Sequence, residues 1–360
     1  MKNSLTQIRF LTAGIAAATL AFSSVAAQAC TAFEFNYAGH AIVAKNHDFM
    51  MGEGLVVVNH RGIAKRSARW ERPIEWVSRF GSVTYNQFGR EMPIAGMNEA
   101  GLVVEMLWLN ETLYAAPDDR KELDVLQWIQ YQLDTARTVE DVVASDRSLR
   151  IADGPGRCHF FIADQKGHTA VLELLNGRLQ VHTGADLPVR ALANDTYSSC
   201  LTAFEAQSAV SKTKVTSTSA APPSFNRFQT VAARVPRFDM KRETPVDFAF
   251  ATLERVRNPQ YTQFQLVYDT EKLRIFLRRQ VDDATREINF SIFDFSPSAP
   301  VLAADLTKPG PLAWQTCTAE LNRSVMRKSY AKVPFLQQVT AEEIDAMAAM
   351  PENFRPAPGS

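Results

Sequence analysis

The chain has 360 residues, of which 46% are apolar and 22% charged, and its formal net charge at pH 7 is zero. This composition is typical of a globular protein with one large domain or two modest ones. Because basic residues are neither in excess nor gathered into runs, we expect no nucleic-acid partner.

Residues 1–29 have the three parts of a secretory signal peptide. Two basic residues precede a short apolar run (FLTAGIAAATLAF), and Ala27-Gln28-Ala29 then matches the A-x-A pattern of a cleavage site. The apolar run is shorter than a membrane-spanning helix requires. We therefore expect cleavage between Ala29 and Cys30 and a periplasmic or secreted product that is not attached to the membrane.

Cleavage at this bond would make Cys30 the first residue, with a thiol and a free α-amine on one carbon. The reference pKa values of these groups, about 8.5 and about 7.7–8.0, are close enough for proton transfer between them. Nucleophile and base would then come from one residue, as in N-terminal nucleophile (Ntn) enzymes.

Two other interpretations of Cys30 stay open. A lipoprotein also carries a first-position cysteine, but its leader normally ends in leucine followed by small residues, and "AAQAC" fits that pattern poorly. A disulfide is the other interpretation, because four cysteines in an exported chain suggest pairing. If a bridge exists, we expect it between two of Cys158, Cys200 and Cys317.

The residues after Cys30 predict a β-hairpin. Apolar and polar residues alternate over residues 31–37 and 40–48, and Ala38-Gly39 lies between the two runs. With a two-residue loop, Cys30 falls opposite His47 and beside Asp48, and Lys45 lies just beyond. The predicted neighbours of the thiol are therefore a carboxylate and a cation.

Helical and strand patterns follow without regular alternation, which indicates an α+β fold. The segment "DVLQWIQYQLDTA" has helical spacing, with Trp128 and Ile129 expected in the core. Thr138 with Asp141 and Thr340 with Glu343 predict capping boxes. The Ser/Thr-rich residues 207–224 predict an exposed excursion and "RPAPGS" a short C-terminal tail, both within a single domain over residues 30–360.

Other common kinds of site have little support in the sequence. The six histidines show neither H-x-x-x-H spacing nor a C-x-x-C partner, so no metal is expected. The chain also lacks a G-x-S-x-G elbow and a Gly-rich phosphate loop. We therefore expect no cofactor.

Six segments in order carry a resemblance to one enzyme family. They are Cys30-Thr31, "AKNHDF", "GMNEAGLVVEMLWLN", "CHFFIADQKGHTAVLEL" with the following "LANDTY", "SFNRFQTVAARV" and "YTQFQLVYDTEKLRIFLR". In this order they resemble the choloylglycine hydrolase and penicillin V acylase family of Ntn hydrolases. The resemblance implies a four-layer αββα sandwich, with two sheets face to face and helices outside.

The resemblance also implies roles for individual residues. Cys30 would attack an amide carbonyl and form a thioester, while its amine passes the proton to the leaving nitrogen. Asp48 would orient that amine, and Asn194 would donate its side-chain amide to the oxyanion. Arg227 would lie beside the nucleophile and the carboxylate. Lys45 stands where the family usually has arginine, so either the pH dependence or the substrate choice is expected to differ.

The substrate expected from the resemblance is a small N-acyl compound. Trp108 looks like the Gram-negative penicillin V acylase branch, which is associated with penicillin V and with long-chain acyl-homoserine lactones, the substrates of quorum quenching. Phe49, Met50, Met51, Trp108 and Tyr197 are candidates for the acyl pocket. Conjugated bile salts are the second choice, and a non-catalytic, lipid-anchored protein that binds acylated ligands is the rival. Family members are often tetramers, so a homo-oligomer is expected.

Overall fold

The computed structural model describes residues 30–68, 73–213 and 224–359. The predicted signal peptide lies outside these ranges. In chain order the strands of the described residues are β1 (Thr31–Tyr37), β2 (His40–Asp48), β3 (Leu55–Asn59), β4 (Ile63–Arg66), β5 (Glu75–Val77), β6 (Ser82–Asn86), β7 (Ala95–Asn98), β8 (Val103–Trp108), β9 (Lys121–Leu123), β10 (Leu149–Ile151), β11 (Cys158–Ala163), β12 (Thr169–Leu175), β13 (Arg178–Thr183), β14 (Ala191–Leu192), β15 (Thr262–Asp269), β16 (Arg274–Arg279), β17 (Asp282–Asn289), β18 (Leu302–Asp305), β19 (Gln315–Thr316) and β20 (Arg355–Pro356).

The α-helices of the described residues all follow β9 and fall into three groups along the chain. They are α1 (Val125–Thr135), α2 (Val139–Ser145), α3 (Tyr197–Thr213), α4 (Phe225–Arg234), α5 (Pro245–Arg255), α6 (Ala319–Lys332) and α7 (Ala341–Ala349). The two predicted capping boxes are confirmed, at the starts of α2 and α7. Within the described ranges, none of these helices has both the length and the apolarity needed to cross a membrane.

The predicted hairpin at the start of the mature chain is confirmed. Ala38 and Gly39 have φ angles of 51° and 94°, the left-handed pair that a two-residue hairpin turn requires. Thr31 pairs with Asn46, which is the register expected from a two-residue loop. Cys30, one residue before Thr31, therefore lies at the level of His47 and Asp48.

Two large sheets form the centre of the sandwich. One has the strand order β14-β1-β2-β15-β16-β17, and the other has β13-β12-β11-β8-β7-β6-β3-β18-β19. Because side chains alternate across a strand, Val103 of β8 packs into the core between the sheets while Val104 packs into a second core beneath α1. Helices α4 and α5 cover the six-stranded sheet, and α1 covers the nine-stranded sheet. The predicted four-layer α+β sandwich is confirmed, with Trp128 and Ile129 in the core under α1.

Two predicted segments differ in how far the structure describes them. Residues 207–213 form the last turns of α3, with Gln207 and Ser208 exposed; residues 214–223 of the predicted excursion lie outside the described ranges. The C-terminal tail is partly structured, since Arg355 and Pro356 pair with β4 in a small sheet of order β20-β4-β5. The pairing of the tail arises from a contact with a remote strand that local composition does not encode.

Candidate active site

The Cys30 thiol lies against the backbone of Asp48 at the end of the hairpin. Its Sγ is 3.4 Å from the Asp48 nitrogen, which donates to it, and 3.5 Å from the Asp48 carbonyl oxygen. The residue is 5% exposed. The hairpin register therefore sets the position of the sulfur relative to the strand that carries the carboxylate.

The Asp48 carboxylate has one bound oxygen and one unpaired oxygen. Thr262 donates its hydroxyl to Oδ1 at 2.5 Å, whereas Oδ2 is buried without a hydrogen-bond partner in the described part of the chain. Burial raises the pKa of Asp48 to about 7, against the opposing effects of the Thr262 hydrogen bond and the charges of Arg227 and Lys45. Such an oxygen can accept a hydrogen bond from a cationic amine.

Arg227, on α4, joins the start of β1 to the loop that precedes α3. Its Nε donates to Thr31 Oγ1 at 3.1 Å, and a terminal nitrogen donates to Asn194 Oδ1 at 2.8 Å. Because the arginine contacts the amide oxygen, the amide nitrogen of Asn194 must face the other way, where it donates to the Trp108 carbonyl at 2.9 Å. That nitrogen has a second hydrogen available for an oxyanion.

The thiol itself is protonated in this environment. Burial raises the pKa of Cys30 to about 11, although the charges of Lys45 and Arg227 and the backbone hydrogen bond from Asp48 lower it. A base must therefore remove the thiol proton before the sulfur can attack. In the full-length chain the nitrogen of Cys30 is a peptide nitrogen and cannot do this.

Lys45 lies in the interior between the two sheets. Its Nζ is 2.7 Å from Glu105 Oε2 and donates to the Met106 carbonyl at 2.6 Å, and both charged side chains have 0% exposure. The contacts of Lys45 are thus with β8. Its charge acts on the pKa of Cys30 without a described contact between the two side chains.

The predicted pocket residues separate into two groups. Phe49 packs against Phe88 with ring centroids 6.2 Å apart. Trp108 is half-buried, and its backbone carbonyl accepts a hydrogen bond from the Asn194 amide. Tyr197 is different: its hydroxyl exchanges hydrogen bonds with the Val189 backbone and its ring packs in the core. These contacts stabilise the start of α3 and give no support to the predicted substrate contact.

The remaining two pocket candidates follow Asp48 directly. Met50 is half-buried and packs against the main core, whereas Met51 is buried and its carbonyl accepts a hydrogen bond from Gln87. Met50 is therefore the more accessible of the two.

Sequence reasoning missed two polar residues of the site region. Thr262 begins an apolar strand, and a hydroxyl at such a position is unremarkable until the opposing strand is known. Glu105 gave a stronger signal, because a lone acid inside "VVEMLWL" has to find a buried cation. Neither partner, Asp48 or Lys45, could be assigned without the pairing of remote strands.

Within the described residues, neither a disulfide nor an open metal site is found among the cysteines and the cluster Glu140, Asp164 and His168. Cys30, Cys158, Cys200 and Cys317 are all described, and all are free thiols, so no disulfide joins any pair of them. Glu140, Asp164 and His168 lie close enough together to hold a cation. Both oxygens of Asp164, however, already accept backbone N–H groups of a turn and of the start of α2.

Comparison with known proteins gives consistent matches. The model of the linear amide C–N hydrolases, choloylglycine hydrolase family, matches residues 30–236. Penicillin V acylase from Pectobacterium atrosepticum is 26% identical over 196 residues, covering 49% of this chain and 52% of the relative. The chain thus aligns with about half the length of this curated relative.

Solved structures share the fold at low identity. Penicillin V acylase from Agrobacterium tumefaciens has a TM-score of 0.65 at 23% identity, covering 77% of this chain and 91% of that one. A variant of conjugated bile acid hydrolase from Clostridium perfringens has a TM-score of 0.64 at 16% identity, covering 79% and 98%. The architecture, the order of the segments and the extent of the family match agree. This chain belongs to the choloylglycine hydrolase family of linear amide C–N hydrolases.

Proposed function

We propose that this protein hydrolyses small N-acyl amides with Cys30 as an N-terminal nucleophile. One arrangement supports the proposal above all: the Cys30 sulfur lies against Asp48 while Arg227 connects Thr31, the next residue, to Asn194. A thiol, a carboxylate with an unpaired oxygen and an amide donor thus meet at a predicted cleavage site.

The reaction begins with transfer of the Cys30 thiol proton to the free α-amine. The sulfur then attacks the amide carbonyl carbon, and the carbonyl oxygen becomes an oxyanion. As the C–N bond breaks, the α-ammonium gives its proton to the leaving nitrogen, which departs as an amine. Water next attacks the thioester, the α-amine accepts a proton from it, and the carboxylic acid leaves as the thiol is restored.

Asp48 and Asn194 assist different steps. The unpaired Oδ2 of Asp48 accepts a hydrogen bond from the α-amine and keeps it beside the sulfur. The second N–H of the Asn194 amide donates to the oxyanion, a contribution worth about 2.7–4 kcal/mol in enzymes of this type. Arg227 holds that amide in the required orientation through its hydrogen bond to Oδ1.

The substrates we propose first are penicillin V and acyl-homoserine lactones. Two penicillin V acylases are among the similar proteins. Phe49 and Met50 directly follow Asp48, and the backbone of Trp108 contacts Asn194, so three apolar side chains belong to residues at or beside the site, which suits an aryl or alkyl acyl group. Conjugated bile salts are the second candidate, because a conjugated bile acid hydrolase shares the fold.

We further propose that the protein is exported, loses residues 1–29 and works in the periplasm or outside the cell as a homo-oligomer. N-terminal sequencing of the exported product tests the first part. A free Cys30 amine supports the enzyme, whereas an acylated terminus supports the rival lipid-anchored protein.

The catalytic proposal is tested with the mature protein and its Cys30→Ser variant. Both are assayed on penicillin V, on acyl-homoserine lactones of several chain lengths, and on glycine- and taurine-conjugated bile acids. We expect the variant to keep the fold, measured by circular dichroism, and to lose turnover by a factor of at least about 10². Mass spectrometry of wild-type protein quenched during turnover should find Cys30 acylated. Undiminished hydrolysis by Cys30→Ser would refute the assignment.

A further inference from the structure

Helix α6 packs over the loop that follows β6, which contacts one of the proposed pocket residues. Gly89, with φ +119°, faces α6 so closely that a Cβ there would lie 2.7 Å from the Met326 sulfur. The backbone N–H of Arg90 donates to Asn322 Oδ1 at 2.8 Å, and the centroid of the Phe88 ring lies 6.3 Å from that of Tyr330. Phe88 in turn contacts Phe49, the residue after Asp48. A continuous line of contacts therefore connects α6 to the strand that carries the carboxylate.

Immediately after α6, a 3₁₀ turn (Pro334–Leu336) places a ring beside Trp108. The centroids of Phe335 and Trp108 are 6.0 Å apart, and both side chains are half-buried. The indole N–H of Trp108 already donates to Asn110 at 2.7 Å, so its polar edge has a partner and its faces remain apolar. The backbone carbonyl of Trp108 accepts a hydrogen bond from the Asn194 amide, so the residue that carries one ring of this pair contacts the proposed oxyanion donor through its main chain.

The two halves of an N-acyl amide differ in polarity. The acyl group is an alkyl, aryl or sterol chain, whereas the leaving amine carries polar or charged groups. Half-buried aromatic faces gain free energy by covering the apolar half, and they offer no hydrogen bond to the polar half. Among the described residues of this region, Trp108 and Phe335 thus form an apolar wall suited to the acyl side of the scissile bond.

We propose that Phe335 is a specificity-determining residue, which with Trp108 forms the wall that contacts the acyl group of the substrate. The inference rests on the proposed amidase function and adds the part of the chain that selects the acyl group. Phe335 lies beyond residue 236, where the family match ends. The acyl preference of this protein is accordingly set in part by a segment outside the matched family region.

The test compares the mature wild-type protein with Phe335→Ala and Phe335→Leu. We expect Phe335→Ala to lose about 10-fold or more in kcat/KM for phenoxyacetyl and long-chain acyl substrates and to be unchanged on the acetyl analogue, whose acyl group is too short to reach the ring. Phe335→Leu, which keeps an apolar side chain, should lose less. Phe293→Ala is the matched control, because Phe293 is also a half-buried ring in a short turn but packs against Phe295 and Trp314. It should leave the selectivity ratio unchanged.

Binding separates this inference from the proposed function. Calorimetric titration of the Cys30→Ser protein, with and without Phe335→Ala, measures affinity for N-phenoxyacetyl and N-decanoyl amides without turnover. Weaker binding of both ligands in the double variant supports Phe335 even if wild-type hydrolysis of the panel fails, an outcome that would refute only the proposed function. An equal loss on acetyl and long-chain substrates, no loss at all, or no binding of either ligand to the Cys30→Ser protein would overturn the role of Phe335.

Discussion

Lys45 is a buried cation whose charge is balanced inside the sandwich. Its ammonium lies between Glu105 and the Met106 carbonyl, and Tyr268 donates its hydroxyl to the other oxygen of Glu105. Burial raises the pKa of Glu105, while the charge and hydrogen bond of Lys45 lower it. Lys45 is therefore half of an ion pair that joins β2 to β8 across the core.

Removing one member of this pair should destabilise the protein strongly. We expect Lys45→Met to lower the free energy of unfolding at pH 7 by about 3–5 kcal/mol, because it leaves the Glu105 carboxylate buried without a counter-charge. Urea denaturation followed by circular dichroism measures this loss. The double variant Lys45→Met/Glu105→Gln should recover a large part of it, since no uncompensated charge remains. A single variant as stable as the wild type would mean that Glu105 is already neutral in the fold.

At the scale of the elements, an irregularity in β15 directs a hydroxyl at the Asp48 carboxylate. Thr262 pairs with Asp48, but Phe264 pairs with His47, so the register shifts between Thr262 and Phe264. Such a bulge re-aims a side chain within an otherwise regular ladder. The result is the hydrogen bond from the Thr262 hydroxyl to Oδ1, which leaves Oδ2 for the proposed amine.

The pH dependence of activity should report this hydrogen bond. The pKa of Asp48 is raised to about 7, so its carboxylate form, which the proposed mechanism uses, is lost as the pH falls through that value. The Thr262 hydrogen bond lowers this pKa. We therefore expect Thr262→Val to move the acidic limb of kcat/KM to higher pH, and Thr262→Ser, which keeps the hydroxyl, to resemble the wild type. If the acidic limb of kcat/KM in Thr262→Val is unshifted, Thr262 has no influence on the titration of the proposed catalytic carboxylate.

The start of α3 is fixed by a buried carboxylate, Glu173. It accepts hydrogen bonds from His159, from His182 and from the backbone nitrogen of Tyr197, the first residue of the helix. Burial alone would raise the pKa of Glu173, but these hydrogen bonds lower it to about 2. Because Asn194 lies three residues before Tyr197, Glu173 helps to hold the loop that carries the proposed oxyanion donor.

Glu173 should stabilise the fold in a pH-dependent way. Its pKa is lower in the folded than in the unfolded chain, so its contribution is fully present above about pH 4.5 and is lost as the pH falls toward 2. We expect Glu173→Gln to lower the free energy of unfolding by about 3 kcal/mol at pH 7 and by much less at pH 3. Denaturant unfolding at both pH values measures the difference. An equal loss at both would show that the glutamate acts through packing alone.

The elements that could be predicted are those whose signals are local. The hairpin register followed from the Ala38-Gly39 turn, and α1 followed from its apolar spacing. The bulge at Thr262 and the pairing of Lys45 with Glu105 could not be predicted, since each depends on which remote strands lie side by side. The helical state of residues 207–213 was missed because Ser/Thr-rich composition is a weak guide to structure when a helix is already under way.

The candidate site was predictable only as a set of residues. Cys30, Asp48, Asn194 and Arg227 were named from the leader and from the order of the family segments. Their contacts were not: the hydrogen bond of Arg227 to the Asn194 oxygen, which orients the amide, joins α4 to a loop 33 positions away. Phe335 could not be predicted from the sequence, because a ring in a short C-terminal turn becomes a candidate only when its contact with Trp108 is known.

At the scale of the whole molecule, both sheets and one helix layer contribute residues to the site. These residues are in place before cleavage has released the α-amine that we propose as the base. Cys30 and Asp48 belong to the hairpin of the six-stranded sheet, Trp108 ends a strand of the nine-stranded sheet, and Arg227 comes from the covering helix α4. Folding therefore positions every proposed group except the α-amine. Only hydrolysis of the peptide bond before Cys30 would supply it.

The final prediction is that a chain that retains Ala29 should fold but should not hydrolyse the substrate. The mature protein beginning at Cys30 is compared with one beginning at Ala29, the terminus of each being verified by intact mass. We expect equal stability in urea and a loss of penicillin V hydrolysis of about 10²–10⁴-fold in the longer chain, the usual contribution of a general base. Its thiol should also react more slowly with iodoacetamide at pH 7, because burial raises the pKa of Cys30 and no adjacent amine removes its proton. Equal turnover by the two chains would mean that another group is the base, and Asp48, with its raised pKa, would be the first to test.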